Sequence, residues 1–135
     1  MQTMRVPMLP PKTRKARILL IDDEVGFTRL VKLVLRRYDM CEVNDPRRAL
    51  EAAHAFQPDL VLMDVVMPGI DGGNLAALFK GDPTLKRIPI VFLTAVVTPK
   101  EAGQVPRHIG GYPFLSKPVC PDALERCIEE HLTTF

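Results

Sequence analysis

Three uninterrupted apolar runs constrain this chain more than any other feature: Ile18–Ile21, Leu60–Met63 and Ile90–Leu93. A shorter segment, Phe114-Leu115-Ser116, follows near the C-terminal end, and Asp39–Val43 reads as a weaker strand. A strand with one wet face alternates apolar and polar residues. A strand that is apolar throughout must be covered on both faces, which is the habit of parallel sheets.

Helical patterns separate the strands. Phe27, Leu30, Val31, Val34 and Leu35 recur at i, i+3, i+4, i+7 and i+8, predicting an amphipathic helix with all five turned inward. Pro46 opens a second helix with Ala49, Leu50 and Ala53 on one side, since proline suits a first-turn position whose donor would be unpaired anyway. A third helix follows Gly72-Gly73 and uses Leu75, Leu78 and Phe79. The last begins at Pro121 and presents Leu124, Cys127, Ile128 and His131. Between Thr94 and Phe114 the pattern degrades. Thr98-Pro99-Lys100-Glu101 is a capping box, but Gly103 and Pro106 limit any helix to about two turns. The stretch Thr98–Gly111 is therefore expected to be the most mobile part of the body. The overall order is β-α repeated five times, an α/β domain with a doubly wound parallel sheet.

The length of 135 residues suits one domain. The formal charge is +2, but Arg5, Lys12, Arg14, Lys15 and Arg17 crowd the first 17 residues without an acid, so acids are in excess over the rest. Residues 1–15 read as a disordered basic tail and 16–135 as the folded domain. The body gives no reason to expect nucleic-acid binding. No signal peptide is evident and no apolar run is long enough to span a membrane, so a cytoplasmic location with no membrane contact is expected. Cys41, Cys120 and Cys127 have no metal-site spacing and are expected as small buried groups. His54 is expected at a polar helical position, His108 and His131 lack metal-ligand spacing, and Tyr112 reads as a packing or turn residue.

Ligands of such sheets bind beyond the carboxyl ends of the strands. There the first strand ends in Asp22-Asp23-Glu24, the third in Asp64, the fourth in Thr94 and the fifth in Lys117. A strand-ending Asp is commonly a helix cap and a lone Lys commonly a solvated one. Asp22, Asp23 and Asp64 together with a hydroxyl and an ammonium on one edge are a different matter. Clustered carboxylates repel unless a cation joins them, and magnesium suits hard oxygen ligands. A carboxylate facing such a cation, a lysine and a hydroxyl is placed to attack a phosphoryl group and form an acyl phosphate.

The motifs Ile21-Asp22-Asp23-Glu24, Leu62-Met63-Asp64-Val65-Val66-Met67-Pro68-Gly69-Ile70-Asp71-Gly72, Leu93-Thr94-Ala95 and Ser116-Lys117-Pro118 resemble the receiver domains of bacterial response regulators. The resemblance covers about residues 17–132. It implies a flavodoxin-like (βα)5 fold with strand order 2-1-3-4-5. It implies that Asp64 accepts the phosphoryl group, that Mg2+ is held by Asp22, Asp23, Asp64 and the backbone carbonyl of Val66, and that Lys117 and Thr94 contact phosphoryl oxygens. Thr94 and Phe114 would form the switch pair, and the Lys117–Pro118 bond would be cis. The implied protein is not an enzyme in its own right but an Mg-dependent phosphoacceptor that assists its own phosphorylation and dephosphorylation. Its implied partners are a sensor histidine kinase or histidine phosphotransfer protein, together with a downstream protein of unknown identity. With the chain closing at Phe135, the expected mode is a stand-alone two-component switch that signals by protein binding or phosphorelay without an output domain. The alternative is a receiver-like binding module that works without phosphorylation. Val66 and Val96, which flank the path of attacking water in the family, cannot hydrogen-bond and predict a long-lived phosphorylated state. A haloacid-dehalogenase phosphatase is disfavoured because its Asp-x-Asp belongs on the first strand. A flavodoxin is disfavoured because no Gly-rich phosphate loop follows that strand.

Overall fold

The computed structural model describes residues 14–95, 108–109 and 111–132. The capping box at Thr98–Glu101, Val96 and most of the proline-containing tail lie outside these residues, as does most of the stretch expected to be mobile.

Five parallel strands form the sheet: β1 (Arg17–Ile21), β2 (Asp39–Val43), β3 (Leu60–Asp64), β6 (Ile90–Thr94) and β8 (Tyr112–Ser116). They stand in the order β2-β1-β3-β6-β8, which is the 2-1-3-4-5 arrangement. Between β3 and β6 lie two two-residue strands, β4 (Val66–Met67) and β5 (Ile70–Asp71), paired antiparallel in a hairpin. Gly69 takes a φ of +82° in that turn, a conformation closed to most L side chains. A further short strand, β7 (His108–Ile109), pairs antiparallel with β8 and makes the sheet six-stranded. Gly111, just before β8, takes a φ of +88°.

Alternate residues of each strand go to opposite faces. Leu19, Ile21, Val61, Met63, Ile90 and Phe92 meet α2 (Ala49–Phe56) and α3 (Gly72–Lys80) through Ala49, Ala53, Leu75, Ala76 and Phe79. Ile18, Leu20, Leu60, Leu62, Val91 and Leu93 meet α1 (Val25–Val34) and α4 (Pro121–His131) through Val31, Leu35, Leu124, Cys127 and Ile128. The uninterrupted apolar runs are thus consumed from both sides.

Several inward assignments differ from the pattern. Of the five apolar residues from Phe27 to Leu35, Leu30 and Val34 are exposed and only Val31 and Leu35 are buried, because the sheet covers about a third of a helix and the apolar stripe is wider than that. On α3, Leu78 is exposed and Ala76 takes its place against the sheet. Pro46 opens a 3-10 turn (Pro46–Arg48), capped by Asp45, which leads into α2. Of the cysteines, Cys127 is buried, Cys41 is half-buried, and Cys120 is exposed, because it precedes α4 on the solvent side. Tyr112 packs edge-on against Phe92, with ring centroids 5.4 Å apart. His54 pairs with Asp82 at 2.8 Å, joining α2 to the segment after α3.

Candidate functional site

Because every parallel strand points the same way, the residues ending β1, β3, β6 and β8 arrive at one edge. Asp22 follows β1 and is 0% exposed, Asp64 ends β3 at 8% and Thr94 ends β6 at 1%. Carboxylate oxygens of Asp22, Asp23 and Asp64 lie within 4.8 Å of one another. Lys117 follows β8. Its Nζ is 2.5 Å from Asp22 Oδ2, 3.1 Å from Glu24 Oε1 and 3.6 Å from Asp64 Oδ2. The face of Phe27 lies beneath the same ammonium, 4.3 Å from ring centroid to Nζ.

Backbone bonds fix these groups. The Lys117 N–H donates to the Thr94 carbonyl at 2.8 Å, tying the end of β8 to the end of β6, and the Lys117–Pro118 peptide is cis. The Val66 N–H donates to Asp64 Oδ1 at 3.3 Å. The Glu24 N–H donates to Asp22 Oδ1 at 3.0 Å. Gly72 closes the loop after Asp64 through an N–H bond to the Val65 carbonyl.

Two unlike charges sit in this hollow. Burial holds the Asp64 carboxyl above the usual carboxylate range. The neighbouring Asp22 and Asp23 push the same way, while Lys117 and the Val66 N–H oppose them. Burial on its own would lower the Lys117 ammonium, but hydrogen bonds and attraction to Asp22, Glu24 and Asp64 outweigh it, and the net shift is upward. The donor set is oxygen-only and anionic, with three carboxylates converging from two strand ends. That chemistry fits a hard divalent cation of the magnesium type.

Of the residues singled out from sequence, Asp22, Asp23, Asp64 and Lys117 are brought into direct proximity, and Thr94 joins them through the backbone. Val66 stands at the rim with its side chain exposed. Phe114 pairs in register with Phe92 and packs against the α2–α3 side of the core. Sequence reading missed the support under Asp22. Asn44 Nδ2 donates to the Asp22 carbonyl and to Thr28 Oγ1, both at 2.9 Å, and the Thr28 hydroxyl reaches Glu42 at 2.9 Å. A signal existed in Asn44, a polar residue directly after a strand, but nothing in its spacing pointed to Asp22.

A family model described as the response regulator receiver domain matches residues 18–129. The chain belongs to this family. PleD, a response regulator of Caulobacter vibrioides, is 38% identical over 106 residues, which are 77% of this chain and 23% of PleD. MtrA of Mycobacterium tuberculosis, a DNA-binding response regulator, is 35% identical over 85 residues, which are 62% of this chain and 36% of MtrA. Among solved structures, the Vibrio cholerae chemotaxis protein CheY4 superposes with a TM-score of 0.74 at 27% identity, covering 88% of this chain and all of that one. The receiver domain of the hybrid histidine kinase CckA gives 0.70 at 30% identity, covering 87% of this chain and all of that one. The chain spans well under half the length of the two curated relatives. Receiver domains are generally phosphoacceptors rather than enzymes. They bind magnesium at an acidic pocket of this kind and work with histidine kinases or phosphotransfer proteins. No helix among the described residues is long and apolar enough to cross a membrane.

Proposed function

We propose that this protein is a phosphorylation switch in which Asp64 accepts a phosphoryl group from a histidine kinase or histidine phosphotransfer protein and signals through a protein partner. The observation that carries the reading is the convergence of Asp22, Asp23 and Lys117 on a mostly buried Asp64. A magnesium ion held by Asp22, Asp23, Asp64 and the Val66 carbonyl would neutralise charge on the transferring group. Asp64 Oδ2, on the Lys117 side, is the attacking atom. It bonds to phosphorus as the bond to the donor imidazole nitrogen breaks, and that nitrogen keeps the electron pair and takes a proton. Lys117 follows the charge onto the phosphoryl oxygens and loosens its hold on Asp22. Thr94, at the end of β6, donates its hydroxyl to a phosphoryl oxygen, and Phe114 responds to that shift.

The test is incubation with acetyl phosphate, with magnesium and with EDTA. One acid-stable, base-labile adduct is expected by mass spectrometry, dependent on magnesium and absent in Asp64→Asn. Equal labelling of that variant, or labelling in EDTA, would overturn the assignment.

A further inference from the structure

The outer side of α1 carries apolar surface that the fold leaves uncovered. Leu30 is 59% exposed and Leu33 63%, with Val34 also exposed. Leu30 and Val34 border a groove of about 290 Å3 between α1 and α4, lined by Phe27, Leu30, Val31, Val34, Val119 and Leu124. Contiguous apolar surface of this kind marks an association site more often than chance placement does.

The two banks of the groove carry opposite charge. From Val25 to Arg37 the chain has Arg29, Lys32, Arg36 and Arg37 and no acid, while α4 has Asp122, Glu125, Glu129 and Glu130 against one Arg126. Arg29, Leu33 and Arg36 fall at i, i+4 and i+7, so Leu33 sits in a basic stripe. Asp122, Glu125 and Glu129 fall at i, i+3 and i+7, an acidic stripe. Arg37 already bridges the groove, 3.8 Å from Glu125 and 3.2 Å from Glu129. Arg29, Arg36 and Asp122 make no ion pair among the described residues. A surface with a basic bank, an apolar floor and an acidic bank is complementary to itself.

We propose that two copies of this chain associate through the α1–α4 face about a two-fold axis running along the groove. The charges choose the axis. An axis across the helices would lay α1 on α1 and set basic stripe on basic stripe. An axis along them lays α1 of each copy on α4 of the other. Both helices begin beyond strand ends at the same edge of the sheet and so run in the same direction. The contacts of Arg37 with Glu125 and Glu129, and the shared groove of Phe27 and Val119, set their heights. Arg29 then comes opposite Asp122 of the second copy, and Arg36 opposite its Glu129. Leu30 and Val34 of both copies close the floor. Both Asp64 sites open at the same end of the pair. A face of two short helices lies at the small end of specific interfaces, so the association is concentration-dependent.

Sedimentation velocity on the full chain, from about 5 to about 500 μM, brackets such an interface. The average mass is expected to rise from 15.1 kDa toward twice that value. Leu30→Glu, a change at an exposed position whose fold is verified by circular dichroism, is expected to weaken association at least tenfold. Arg29→Glu and Asp122→Lys should each weaken it severalfold, and the double variant should regain most of the loss. A mass fixed at 15.1 kDa, a dimer that Leu30→Glu leaves intact, or a double variant no tighter than either single one overturns the proposal. A monomer whose Leu30→Glu variant takes phosphoryl groups more slowly from a histidine kinase overturns it too, and assigns the face to the kinase.

Discussion

Lys117 Nζ lies 2.5 Å from Asp22 but 3.6 Å from Asp64, with Glu24 between them at 3.1 Å. Its ammonium acts as the counter-charge of the site, held to the fully buried acid and leaving the second carboxylate open. Lys117→Met removes that charge and leaves Asp22 and Asp64 facing one another in a desolvated hollow. Breaking a buried pair on one side costs about 3 kcal/mol. Urea unfolding in EDTA is expected to show a loss of that order, partly restored by millimolar magnesium, along with greatly slowed adduct formation at Asp64.

Asp64 works in the opposite sense. Its carboxyl is held above the usual range by burial and by Asp22 and Asp23, so the folded state binds its proton more tightly than the unfolded chain does. The stability from this group is complete below the unfolded value and is lost as pH rises through the folded one. At neutral pH without divalent cations the ionised Asp64 therefore strains the fold. Asp64→Asn is expected to melt higher than the wild type by a few degrees at pH 7. The difference should shrink on acidification toward pH 4, as scanning calorimetry in EDTA can follow.

Gly72 has no room for a side chain. A Cβ there would lie 2.5 Å from the Asp64 carbonyl oxygen and 2.8 Å from Val65 Cα, both backbone atoms that cannot swing aside. Gly72→Ala must displace the loop that carries Asp64. A loss of about 2–3 kcal/mol is expected in chemical denaturation, typical of overpacking. Phosphorylation should fall further than stability alone explains. Gly26→Ala, on α1 where nothing lies within 4 Å, is the control and should cost no stability, since alanine favours a helix over glycine.

Val66 projects its exposed side chain at the rim of the site, where it offers no hydrogen bond to an attacking water. Val66→Asn is expected to hasten loss of the Asp64 adduct roughly tenfold by giving that water a polar partner. The decay is followed by mass spectrometry after the phosphodonor is removed, and an unchanged half-life argues that the valine only covers the rim.

The strands β1, β3 and β6 were legible because their apolar runs serve both faces, a pattern with one good structural solution, and they set the frame for the weaker β2 and β8. The site was legible because its residues end those strands. The β4–β5 hairpin was not, since two-residue strands leave no periodicity and only Pro68-Gly69 hinted at a turn. The exposure of Leu30 and Val34 was hidden for a related reason: periodicity gives the width of an apolar stripe but not how much of it the sheet covers. The Asn44–Thr28–Glu42 chain joins residues from α1, β2 and the loop after it, and such contacts exist only after the sheet has assembled.

The bond between Lys117 and Asp22 spans 95 positions of sequence. A growing polypeptide that has emerged only as far as β6 already holds all three acids but lacks the cation that balances them, and its fifth parallel strand is missing. Such a fragment has the proposed acceptor without its setting. The phosphorylation proposed for Asp64 therefore waits on β8 and α4, the last strand and helix of the domain. Uptake of label from acetyl phosphate can serve as a probe of completed folding, one that an unfinished or unravelled chain does not satisfy.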